Sequence, residues 1–84
     1  MSDDPNPQQR RASSQAYLLV KYEELGSLHQ ACWELAHLHD REPESYRRIT
    51  GSDRLVKYET LHRYWKEIPI AERLAAKRRH LDRD

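Results

Sequence analysis

The sequence predicts an all-α fold, a small bundle of four to five short helices with a disordered N-terminal tail. Three observations carry this. Apolar residues recur at three- and four-residue steps in segments that are bounded by capping residues, Gly and Pro. β-branched residues are few, and no run alternates with period two, so no strand is expected apart from a slight hairpin option around residues 50–56. The composition holds 37% apolar against 35% charged residues, no Phe and two Gly, which suits short helices around an economical core.

The elements follow in order. Residues 1–13 are polar, carry Pro5 and Pro7, and have little to bury, so they read as a disordered tail, with residues 14–84 as a single helical domain. Ser14 is an N-cap for a helix from about Gln15 to Leu25, with Leu18, Leu19, Tyr22 and Leu25 inward and Gly26 as its stop. Ser27 caps a second helix, Leu28–His39, whose buried stripe is Leu28, Ala31, Cys32, Leu35 and Leu38, with Trp33 on its flank. Pro43 opens a short helix, Glu44–Thr50, that turns Tyr46 and Ile49 inward and ends at Gly51. Ser52 or Asp53 caps the next helix, which begins between Arg54 and Lys57, is assigned over Val56–Ile68, and has Leu55, Tyr58, Leu61, His62, Trp65 and Ile68 at helical spacing on its apolar face. Pro69 closes it and opens the last helix, Ile70–Leu81, with Ile70, Leu74, Ala75, Lys77 or Arg78 and Leu81 as its inner stripe.

At 84 residues the chain is at most one small domain, and its core is marginal alone, so a homodimer or a bound partner is expected. A single cysteine, Cys32, excludes an internal disulfide and favours a reducing compartment. No segment is apolar enough to span a membrane and the first residues do not read as a signal peptide, so a cytoplasmic protein is expected. Net charge is +1 but unevenly spread. Residues 14–40 hold one Lys against four acids; residues 41–84 hold twelve cations against eight acids.

The polar face of the Val56–Ile68 segment decides the functional reading. It carries Lys57, Thr60, Arg63, Tyr64 and Lys66, side chains that reach phosphates and base edges, and Arg47 and Arg48 lie nearby in sequence. Gly26, Ser27, Leu28 and Ala31, followed by Val56, Thr60, Leu61, Arg63, Tyr64 and Trp65, resemble the two working helices of helix-turn-helix DNA-binding domains. The resemblance covers about half the chain. The usual turn of three or four residues is replaced by a longer stretch with an inserted helix, so the motif is an interrupted one. It implies a double-stranded DNA partner and a transcriptional regulator or phage- or plasmid-type accessory factor acting as a dimer. Residues 56–68 would then be the recognition helix.

The competing reading is a helical protein-interaction module, an inhibitor or adaptor of a larger protein, because Trp, Tyr and Arg dominate protein interfaces. Convergence of Lys57, Arg63 and Arg47 on one open face favours DNA. Scattered cations with Tyr64 and Trp65 in an exposed apolar patch favour a protein partner. Arg10 and Arg11 read first as part of a solubilising tail and second as a basic arm. His29, Cys32, His37 and His39 are strung along one helix and cannot close a tetrahedral metal site. His62 beside Glu59 and Tyr58 has no nucleophile, oxyanion cradle or Gly-rich loop with it. No enzyme activity, metal or cofactor is expected.

Overall fold

The computed structural model describes residues 7–83, with side chains from Gln9, and contains five helices and no strand among them. They are α1 (Pro7–Leu25), α2 (Leu28–Arg41), α3 (Pro43–Thr50), α4 (Tyr58–Glu67) and α5 (Ile70–Leu81). The all-α bundle expected from periodicity is the architecture observed. α1 is the spine and packs against each of the other four, while α2 also packs on α3 and α4.

The spine begins earlier than its pattern suggests. Residues 1–6 of the expected tail lie outside the described residues, but the chain is helical from Pro7. Proline suits a first helical position because its missing N–H has no partner there anyway. Ser14 is therefore no cap: it is buried inside α1. The extension has tertiary anchors. Ser13 and Ser14 both donate to the Ile49 carbonyl at the end of α3, and Arg11 pairs with Glu67 of α4 at 3.2 Å.

α2 follows its sequence signals closely. The Ser27 hydroxyl accepts from the Gln30 N–H, and Ala31, Cys32, Leu35 and Leu38 are buried. They join Leu18, Tyr46, Leu61, Trp65 and Ile68 in the core, where the Tyr22 ring lies 4.8 Å from that of Trp65. Gly26 separates α1 from α2 at φ 75°, a left-handed backbone that side chains disfavour, and its open α-carbon lies against the His80 ring of α5.

α3 is joined to α2 through Glu42 alone. Tyr46 is buried, and its hydroxyl accepts the Val56 N–H at 2.7 Å. That bond ties down the link of residues 51–57. Further ties come from His39 Nε2 donating to the Asp53 carbonyl at 2.9 Å and from the Ser52 hydroxyl bonding both backbone groups of Arg54. With the link tied down in this way, α4 starts at Tyr58, two positions after the expected Val56. Neither Ser52 nor Asp53 caps it; Lys57 holds that position without a side-chain cap bond. Leu61, Trp65 and Ile68 are buried as expected, but Leu55 and Tyr58 are exposed at 57% and 45%.

The last helix departs most from expectation. α5 lies against α1, and its one buried residue is Ala76. Ile70, Leu74 and Leu81, read as its inner stripe, are exposed at 65%, 57% and 66%. The orientation is set by polar anchors. His80 Nδ1 donates to the Glu23 carbonyl at 2.9 Å, Arg79 Nε pairs with the Glu23 carboxylate at 2.9 Å, and Arg73 Nε donates to the Ile68 carbonyl at 3.0 Å. Meeting these partners turns the small Ala76 face towards the spine and leaves the leucine face outward.

Candidate functional site

The residues expected to meet DNA divide over two helices, α3 and α4, each of which packs mainly on α1 and α2. Arg47 and Arg48 project from α3, while Thr60, Arg63, Tyr64 and Lys66 belong to α4 and Lys57 precedes it. Arg47 pairs with Asp53 at 3.4 Å, within its own helix-link unit. Arg48, Lys57, Arg63 and Lys66 are exposed. Arg63 leans over the Tyr64 ring with its guanidinium carbon 6.0 Å from the centroid. Thr60 and Tyr64 are half-buried, and the Tyr64 carbonyl accepts a 2.9 Å bond from the Gln15 side chain. Tyr64 and Trp65 do not form an exposed patch: Trp65 is core, and Tyr64 packs against it. Arg11 of the expected basic arm is engaged by Glu67.

A different surface is brought together instead. Trp33 of α2, 57% exposed, faces the pinned link and the start of α4 across a shallow apolar groove. His29, Cys32, Trp33, Ala36, Leu55, Val56, Tyr58 and Leu61 line a central cavity of about 210 Å³. A second cavity continues from Trp33 past His29 towards Leu25, and a third from Trp33 and Leu55 past His37 towards Asp40. The three adjoin along the outer flank of α2.

Aromatic rings rim this groove. Trp33 meets His37 edge-on at 3.8 Å, and Tyr58 lies 5.8 Å from both His29 and His62. These histidines are ring partners here, and no group of three or more His, Cys, Asp or Glu among the described residues is placed to hold a metal ion. Cys32 lies beneath the groove, and burial pushes its thiol pKa up to about 11. A neutral thiol there behaves as a small apolar side chain.

Sequence reasoning missed this surface for identifiable reasons. Trp33 sits off the Leu28–Leu38 stripe, and that flank position was its only signal. Leu55 and Tyr58 fit the helical period of α4, but the hydrogen bond between Val56 and Tyr46 takes Leu55 out of the helix. That bond joins residues ten apart and has no local signature.

Comparison with protein-family models, with curated proteins and with solved structures finds no match. Among the described residues no helix is long and apolar enough to cross a membrane.

Proposed function

We propose that this chain is a small helical protein-interaction module, an inhibitor or adaptor that grips an apolar segment of another protein in the groove along α2. The observation that carries this is the exposure of Trp33, Leu55 and Tyr58 around one apolar hollow. Large apolar side chains left adjacent on a small domain mark a binding surface, and Trp and Tyr concentrate binding energy there. The groove runs along a helix, which suits a helical segment of the partner laid lengthwise.

Chemical cross-linking in cells followed by purification tests the reading. A partner identified by mass should be held stoichiometrically by the wild type and lost from Trp33→Ala with Tyr58→Ala, yet kept by Arg63→Ala with Lys66→Ala. Retention by the groove variant overturns it.

The exposed cations of α4 support a second reading. Lys57, Arg63 and Lys66 lie on or beside the outward face of one helix, an arrangement that suits phosphate contact with double-stranded DNA, as a transcriptional regulator would make. Arg48 would add a backbone contact from α3. A gel shift at low salt should then weaken for Arg63→Ala and not for Arg83→Ala. No shift of any duplex removes this reading.

A further inference from the structure

We propose that the outward face of α5 docks on an anionic lipid surface, with the helix lying flat at the membrane–water boundary and Ile70, Leu74 and Leu81 seated among the headgroups. This face is separate from the groove along α2, so the two readings stand or fall independently.

The packing of α5 builds the face. Ala76 turns towards the spine, and Arg73, Arg79 and His80 are anchored to Ile68 and Glu23. What remains outward is a stripe with cations on both edges. Ile70, Leu74 and Leu81 are each more than half exposed, and they fall within about 40° of one another around the helix. Lys77 falls about 40° to one side of the stripe's centre and Arg78 about 60° to the other. Both are exposed, and neither enters an ion pair among the described residues. Glu72, the one acid within α5, falls about 180° from the stripe, and Asp82 follows the helix.

Three features select lipid as the occupant. Cations on both edges of an apolar ridge complement anionic headgroups, because their stems lie along the stripe while their charges reach the phosphates. The stripe is a convex ridge, and a fluid boundary takes in such a ridge without a matching hollow. Finally, α5 (IAERLAAKRRHL) contains no Ser, Thr, Asn, Gln, Tyr or Trp. Protein interfaces rely on directional hydrogen bonds and aromatic anchors, whereas a lipid surface is held by apolar depth and charge. A nucleic acid would leave the stripe among phosphates with nothing apolar to meet.

Depth and charge are both required. A single acyl chain holds a protein to a membrane only marginally, so three aliphatic side chains need anionic headgroups as a second attraction. The acidic excess of the chain lies in residues 14–40, outside α5. The association is peripheral, since among the described residues no helix is long and apolar enough to cross a membrane.

Co-sedimentation of the full chain with phosphatidylcholine vesicles containing about one-third phosphatidylserine tests this, beside vesicles of phosphatidylcholine alone. The wild type should pellet with the anionic vesicles and stay free of the neutral ones, and added salt should weaken the binding. Leu74→Glu should weaken it at least about tenfold, since it removes one of three inserted side chains. Lys77→Gln with Arg78→Gln should weaken it about 25-fold, at about fivefold per surface cation. Lys21→Gln with Arg54→Gln removes the same charge from α1 and the link and should change it little. Leu74, Lys77 and Arg78 are exposed, and circular dichroism checks that the variants fold. No binding to anionic vesicles, binding that survives Leu74→Glu, or equal losses from the two cation pairs overturns the proposal. A chain that ignores vesicles but self-associates through Leu74, or holds a duplex through Lys77 and Arg78, assigns the face to that occupant and likewise overturns it.

Discussion

α2 and α5 carry similar patterns and meet opposite fates. Each has leucines at helical spacing with charges between them, yet α2 buries Ala31, Cys32, Leu35 and Leu38 while α5 buries only Ala76. α2 packs against three helices, and α5 packs mainly on the spine. An apolar stripe turns inward when several neighbours can cover it. With one neighbour, a helix orients by whichever contacts that neighbour supplies, and α1 supplies the Glu23 carbonyl and carboxylate. Periodicity reports that a helix has an apolar face; it does not report what covers that face.

The sharpest way to break this comparison is one leucine from each helix. Leu35→Ala should cost about 2–5 kcal/mol in urea denaturation, as emptied core sites do, whereas Leu74→Ala should stay within about 0.5 kcal/mol. Equal losses would mean that the stripe of α5 is covered. Gly26→Ala should cost about 1–2 kcal/mol from its left-handed backbone, with a further loss because the new methyl meets the His80 ring. Hydrogen exchange should then show α5 loosened more than α2. Glu23→Gln removes a partly exposed ion pair with Arg79 and should cost less than about 1 kcal/mol, again with faster exchange confined to α5. The smallest effect tests the closed side of α2. The Cys32 pKa is raised from 9.0 to about 11 by burial, so the folded chain holds its thiol proton where the unfolded chain releases it. Stability from this group is present below pH 9 and falls as pH rises from about 9 towards 11. Alkylation of Cys32 at pH 8 should be far slower in the folded chain than in urea.

Much of the fold was legible because its signals are local. Ser27, Gly26, Pro43, Gly51 and Pro69 punctuate the chain where caps and breakers should stand, and the inner stripe of α2 follows from spacing alone. The early start of α1 was not legible. Residues 7–13 are polar, and their helix rests on Ser13 and Ser14 against Ile49 and on Arg11 against Glu67. The candidate site was legible only in its residue types. Lys57, Arg63 and Lys66 are exposed, with Lys57 just before α4, whereas Arg47 and Arg48 belong to α3, which packs mainly on α1 and α2. The groove was not legible, since Trp33, Leu55 and Tyr58 lie far apart in sequence and converge through the Tyr46 hydroxyl.

By itself, then, the sequence determined an all-α bundle of four to five short helices, several of its breaks and the buried stripe of α2, because caps, breakers and 3.6-residue periodicity act within a few residues of one another. The tertiary structure decided which face of α5 turns outward, where the link of residues 51–57 sets Leu55, and hence that an apolar groove and an apolar stripe both remain open. Those outcomes depend on single polar bonds between distant residues, Tyr46 to Val56 and Glu23 to His80, and no local pattern encodes such a bond.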